Sequence, residues 1–297
     1  MNTNSKQDNT NNTISAFILK DIKAVASDVD GTLTESRCPL QKDMAMLLAK
    51  TLETKKILII TGGGIRQMET QFLNPLYNFF PEINQKEQSS CGINLKNLYL
   101  MPTSGAEFFS YAGQIKDTTQ NTKKDTNSIW HKEYSYTLSD DECRKIANAI
   151  EKALKETGIG NELEKIKDQF VGEQIEFRGA QVTFSALGQE APLTLKQTWD
   201  PKAEKRTRLK EIIDQDLPEF SVKIGGTTSL DITRKGIDKA FGINEFIKFT
   251  GIPAKSIAYL GDALYEGGND SVVIPTGVNT VQVNGPEDSA EFLKNLL

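Results

Sequence analysis

Short continuous apolar runs recur along this chain, each stopped by a glycine or a polar cluster: Ile22 to Ser27, Lys56 to Ile60, Leu98 to Met101 and Ser256 to Leu260. A run without alternation that ends on glycine is the pattern of a strand covered on both faces, as in a parallel sheet. Between the first two runs, Leu40 to Glu53 carries Met44, Leu47, Leu48 and Leu52 at helical spacing, and Asp238 to Thr250 is also helix-like. Both ends of the chain therefore read as strand and helix units of one α/β layer structure.

The middle has a different rhythm. Ser139-Asp140-Asp141-Glu142 is a capping box, and Ile146, Ile150, Ala153 and Leu154 continue it as an amphipathic helix. Glu173 to Arg178 and Gln181 to Leu187 then alternate in opposite phase on either side of Gly179-Ala180, which predicts a hairpin. Lys205 to Asp216 reads as a helix, and Phe220, Val222 and Ile224, then Leu230 and Ile232, alternate again. Strands of this kind are antiparallel and half exposed, so residues 105–232 read as a second domain inserted into a core formed by 16–104 and 233–297. Residues 1–15, almost without apolar side chains, read as a disordered tail, and Asp117 to Ser128 as a mobile polar loop.

Composition narrows the chemistry. The 297 residues carry a formal net charge of -5, which argues against a nucleic-acid or membrane-surface partner, because those select a basic face. No apolar run reaches the roughly 18 residues of a membrane span. Cys38, Cys91 and Cys143 lack metal-like spacing and read as reduced thiols, which points to the cytoplasm. His131 is the single histidine, so Ser-His-Asp catalysis and histidine-rich metal sites give way to carboxylate chemistry.

The carboxylates that count stand where apolar runs end. Asp28-Val29-Asp30-Gly31-Thr32 follows the first run, Thr61-Gly62-Gly63-Gly64 the second, and Gly261-Asp262 the one before the C-terminus. In a parallel sheet these ends share one edge, the place where open α/β sheets bind ligands. Converging carboxylates suit a hard cation such as Mg²⁺, and the hydroxyl and free N–H groups after Ile60 suit phosphate oxygens.

Four segments in this order resemble the motifs of the haloacid-dehalogenase superfamily: Asp28 to Thr32, Thr61, Lys239 within Lys235-Gly236-Ile237-Asp238-Lys239, and Gly261-Asp262 through Gly268-Asn269-Asp270. The middle resembles the inserted cap of eukaryotic-type phosphomannomutases, through Phe177-Arg178-Gly179 and Ile224-Gly225-Gly226-Thr227-Thr228-Ser229-Leu230-Asp231. The resemblance implies a Rossmann-like parallel-sheet core with an α+β cap. It further implies Asp28 as nucleophile, Asp30 as acid/base, and Thr61, Gly62 and Lys239 on the transferring phosphate. Mg²⁺ would be held by Asp28, the Asp30 carbonyl and Asp262, with Asn269 and Asp270 supporting.

In the cap, the resemblance implies that Ser229 and Asp231 hold sugar hydroxyls and that Arg37 and Arg178 hold a phosphate. Two positions depart from the family: Gln189 replaces one clamp arginine and, on an ungapped count, Lys196 another. A neutral amide cannot replace a bidentate cationic fork. The sequence therefore favours a phosphohydrolase of a hexose phosphate, working through an aspartyl-phosphate. A mutase interconverting hexose 1- and 6-phosphates is the alternative, and a non-catalytic sugar-phosphate binder comes third. A homodimer through the cap is also compatible.

Overall fold

The computed structural model describes residues 16–81, 93–113 and 129–297. The expected tail, Cys91 and the expected loop at 117–128 lie outside the described residues.

The apolar runs form the centre of a seven-stranded sheet. Its strands are β1 (Ala24–Ser27), β2 (Lys56–Ile60), β3 (Leu98–Met101), β4 (Glu107–Tyr111), β5 (Trp130–Ser135), β10 (Ile257–Gly261) and β11 (Asn279–Gln282). They lie in the order β11-β10-β1-β2-β3-β4-β5. The first five in that order run parallel, while β4 and β5 are added antiparallel.

Both faces are covered, as the unbroken apolar runs require. Val25, Ile57, Ile59, Leu100 and Leu260 pack under the helix Lys42–Leu52, the 65–79 helical segment and the C-terminal helix Pro286–Leu296. Ala26, Leu58, Ile60, Met101 and Tyr259 face the other way, onto Ile243 and Phe246 of the helix Lys239–Thr250.

A second, wholly antiparallel sheet carries its own core. It contains β6 (Ile175–Phe177), β7 (Gln181–Ser185), β8 (Phe220–Gly225) and β9 (Ser229–Arg234), in the order β6-β7-β9-β8. Val182, Phe184, Val222, Leu230 and Ile232 pack against Ile146, Ile150 and Ala153 of the helix Asp140–Thr157, and against Leu209 and Ile213 of Glu204–Asp216. The Ser139–Glu142 capping box starts the first of these helices, and the hairpin turns at Gly179, where φ is +74°.

The break expected at residue 105 needs correction, because β4 and β5 extend the first sheet. Phe108 is fully buried there and packs edge-on against Phe249 with ring centroids 5.0 Å apart. An alternating pattern cannot report which sheet a strand joins, and here aromatic packing decides it. The second core begins only at Leu138.

Candidate active site

The C-terminal ends of β1, β2 and β10 do share one edge, and the site is built there. Asp28 leaves β1 with its backbone N–H still donating to the Leu260 carbonyl at 3.1 Å, so it remains fixed to the neighbouring strand. Its Oδ1 accepts from the Val29 N–H at 2.8 Å and its Oδ2 lies 2.8 Å from Lys239 Nζ. Lys239 also pairs with Asp270 at 2.6 Å, and all three side chains are almost wholly buried.

Burial pushes the Asp28 carboxyl up to about 7, against the pull of Lys239 and with a further push from Asp270. Burial opposes the Lys239 charge, but Asp28 and Asp270 outweigh it and the pKa is raised. The ammonium is thus held charged between two carboxylates.

Asp262 follows β10 and reaches Thr32 Oγ1 at 3.4 Å. Burial and Asp270 raise its pKa. A Cβ at Gly31, whose φ is +71°, would lie 2.6 Å from Asp262 Oδ2, so only glycine allows the two loops to meet.

Carboxylate oxygens of Asp28, Asp262 and Asp270 lie within 4.8 Å of one another. Three carboxylates against one ammonium leave a net negative pocket of hard oxygen donors, and the residues fit a divalent cation such as Mg²⁺. Asp270 is already engaged, accepting from Lys239, from the Tyr259 hydroxyl at 2.6 Å and from the Ala263 N–H at 3.0 Å. It therefore fits the supporting layer, and Asp28 and Asp262 fit direct coordination.

A cavity of about 730 Å³ opens over these groups, between the edge of the first sheet and the polar face of the second. Asp28, Asp30, Thr61, Gly62, Asp262 and Asn269 border it from below. Arg37, Arg178, Gln189, Ser229 and Asp231 border it from the loop after β1 and from the second sheet. Lys239, Asp270 and Lys196 stand behind its walls.

Strand register explains the upper face: Ser229 and Asp231 pair with Ser185 and Thr183 across β9 and β7, opposite the apolar side that fills the second core. Asp231 accepts from Thr183 Oγ1 at 2.7 Å and Gln181 Nε2 at 2.8 Å. Burial raises its pKa despite those bonds and the nearby Arg178 and Arg37.

The cations of the upper face are partly engaged. Arg178 is bound by Glu176 Oε2 at 2.8 and 2.7 Å, and by Gln189 Oε1 at 3.3 Å. Lys196 donates to the Gln189 carbonyl at 2.7 Å, and burial, with Arg37 and Arg178 nearby, lowers its pKa. Gln189 Nε2 is buried without a hydrogen-bond partner among the described residues.

Several residues of the site were not singled out from the sequence. Gln67 and Gln71 bind Asp30, Glu176 binds Arg178, and Gln181 and Thr183 bind Asp231. Gln181 and Thr183 are the polar half of an alternating strand and were legible as such. The glutamines stand four apart just after the glycine run, a weaker signal.

A mixed sheet with carboxylates at its parallel edge and a second sheet across the cavity fits the haloacid-dehalogenase class of phosphotransferases and phosphatases, and the family model and relatives that follow make the protein an enzyme of that class. The structure is similar to a truncated Plasmodium falciparum IMP-nucleotidase, with a TM-score of 0.64 and 16% identity over 95% of this chain and 72% of that one. It is also similar to a haloacid dehalogenase-like hydrolase from Bacteroides thetaiotaomicron, with a TM-score of 0.57 and 14% identity over 93% of this chain and 100% of that one.

A family model described as eukaryotic phosphomannomutase matches residues 108–297, and the chain belongs to that family. Phosphomannomutase from Saccharomyces cerevisiae is 23% identical over 92% of this chain and 93% of its own length. Phosphomannomutase 1 from Dictyostelium discoideum is 22% identical over 91% and 94%. The family match begins after Asp28 and Thr61, whereas both relatives align across nearly the whole chain.

Proposed function

We propose that this enzyme is a phosphohexomutase, moving a phosphoryl group between the 1- and 6-positions of a hexose through a phosphorylated Asp28. The carrying observation is the buried Asp28–Lys239 pair at the floor of a cavity whose opposite wall carries Ser229, Asp231, Arg37 and Arg178. Family membership and relatives aligned over nearly the whole chain support the mutase more strongly than the hydrolase expected from Gln189.

In the first half-reaction Asp28 Oδ attacks one phosphorus of a hexose 1,6-bisphosphate in line, the bond from phosphorus to the sugar oxygen breaks, and Asp30 gives that oxygen a proton, leaving a hexose monophosphate. In the second, the free hydroxyl of a hexose monophosphate passes its proton to Asp30 and attacks phosphorus, the bond to Asp28 breaks, and the bisphosphate is re-formed. Thr61, Gly62 and Lys239 hold the transferring oxygens, and Lys239 enters the reaction already charged. A divalent cation such as Mg²⁺ would be held by Asp28, the Asp30 carbonyl and Asp262, with Asn269 and Asp270 supporting, and would supply charge neutralisation for the transferring phosphate.

The body around the second sheet acts as a cap that presents Ser229 and Asp231 to the sugar and Arg37 and Arg178 to the distal phosphate. A cytoplasmic setting accords with this substrate. Among the described residues, no helix is long and apolar enough to cross a membrane.

Hydrolysis remains the second reading, favoured by two observations: Gln189 is neutral where the clamp needs a cation, and Lys196 is turned onto a carbonyl. The test is incubation with mannose 1-phosphate and Mg²⁺, with and without a hexose 1,6-bisphosphate. Bisphosphate-dependent formation of the 6-phosphate is expected. Free phosphate with no 6-phosphate would replace the mutase by the hydrolase.

A further inference from the structure

Asp30 sits in a cage of three N–H donors. Its Oδ1 accepts from the Arg37 amide at 2.5 Å and from Gln71 Nε2 at 2.6 Å, while its Oδ2 accepts from Gln67 Nε2 at 3.0 Å. The glutamines are also tied to each other, with Gln67 Nε2 donating to Gln71 Oε1 at 3.2 Å, and Gln71 Nε2 reaches Thr34 Oγ1 at 3.0 Å. Each amide nitrogen has two hydrogens, so every hydrogen the pair offers is used. Any other rotamer of either glutamine would give up at least one of these hydrogen bonds.

The backbone is shaped to build it. The helix Ile65–Met68 widens into a π turn over Glu69–Leu73, a feature that recurs at functional sites, with Gln67 just before it and Gln71 inside it. A Cβ at Gly63 would stand 2.5 Å from Gln67 Oε1, so the glycine run makes room for the Gln67 amide as well as for phosphate. Arg37 adopts a φ of +58°, unusual for a residue with a side chain, and its N–H points at Asp30.

We propose that Gln67 and Gln71 are positioning residues that hold the Asp30 carboxylate in one orientation for its proton transfers to and from the sugar oxygen. The inference rests on the acid/base role proposed for Asp30. It adds a specific dependence: removing an amide leaves the nucleophile and the phosphate site intact but lets Asp30 swing, and a misplacement of ~1 Å costs up to about 100-fold.

The experiment compares leaving groups in Gln67→Leu, Gln71→Leu and the isosteric Gln71→Glu. Hexose phosphates expel an alkoxide that needs Asp30's proton, whereas p-nitrophenyl phosphate expels a phenolate that does not. Each variant should lose about 10- to 100-fold in kcat on hexose phosphates with KM little changed. Each should still show a stopped-flow burst of nitrophenolate at the wild-type rate. A burst slowed in parallel with sugar-phosphate turnover, or an undiminished kcat, would overturn the proposal.

Asp30→Asn separates the two levels. If that variant keeps full turnover, the role of Asp30 itself fails. If it loses turnover while the glutamine variants do not, only the positioning inference fails. Gln67 borders the open cavity, so its variant decides the matter if those at buried Gln71 do not fold.

Discussion

The floor and the roof of the cavity are built on opposite principles. On the floor, Lys239 is 1% exposed and locked between Asp28 and Asp270, with Tyr259 and backbone N–H groups taking up the remaining acceptors. On the roof, the polar groups are bound less completely: Arg178 leans on Glu176, Lys196 on a carbonyl, and Gln189 Nε2 on nothing among the described residues. A charge network buried this deeply tolerates no substitution without cost, because removing one partner strands the others. A roof whose polar groups are only partly paired can exchange cation for amide and change only what is recognised. On the proposed function, chemistry is thus fixed below and selectivity is adjustable above.

The largest effect should come from the floor. Asp28→Asn keeps the shape but removes the proposed nucleophile, and turnover of any phosphate ester should fall by at least about 10³-fold. Lys239→Met should lose comparable activity and also about 3–5 kcal/mol of stability, read by denaturant titration, because two buried carboxylates lose their ammonium. If Lys239→Met proved as stable as the parent, the floor would be no more demanding than the roof and the contrast would collapse. Stripping divalent ions with a chelator should abolish turnover, and Mg²⁺ should restore it, while the fold measured by circular dichroism persists.

Much of this floor was legible in the chain, because its residues stand at the ends of unbroken apolar runs whose parallel pairing forces them to one edge. Asp28, Thr61 and Asp262 follow from that single rule. The cage around Asp30 did not, since a π turn and a positive φ at Arg37 are local backbone choices with no periodic signature. The membership of β4 and β5 was misread for a related reason. Phe108 alternates like any half-buried strand residue, and only its ring contacts with Tyr99, Tyr134 and Phe249 show which sheet it completes. Glu176 illustrates a third kind of loss: a carboxylate two residues from an arginine on a strand is unremarkable until the hairpin folds both toward the cavity.

The roof predicts a smaller and opposite kind of effect. Gln189→Arg should add a cation where Nε2 now lacks a partner, and tighten a bisphosphate by about tenfold, the scale of one charge-assisted hydrogen bond. The rate of nitrophenolate release from p-nitrophenyl phosphate, which has no distal phosphate, should not move. An equal gain for both substrates would mean that residue 189 acts on the floor, and the separation of chemistry from selectivity would be wrong.

The smallest effect lies where roof joins floor. Arg234 on β9 binds Glu142 at 2.8 and 2.6 Å and also the carbonyls of Tyr136 and Thr137, clasping the segment that leaves β5 for the second core. The Arg234 bond, followed by the capping N–H of Ser139, draws the Glu142 carboxyl down to about 2 from its ordinary value of 4.5. A depressed carboxylate contributes stability that is fully present above its unfolded pKa and is lost as pH falls through the folded one. The clasp should therefore hold unchanged from neutral pH to about 4.5 and weaken between there and about 2. Glu142→Gln should lower the Tm by a few degrees at pH 7 and by progressively less through that window, the two proteins converging near its acid end. The pair is partly solvated, so salt should narrow the gap at pH 7 as well. A Tm difference that stayed constant with pH would assign the stability to side-chain shape and leave the junction between roof and floor without an electrostatic clasp.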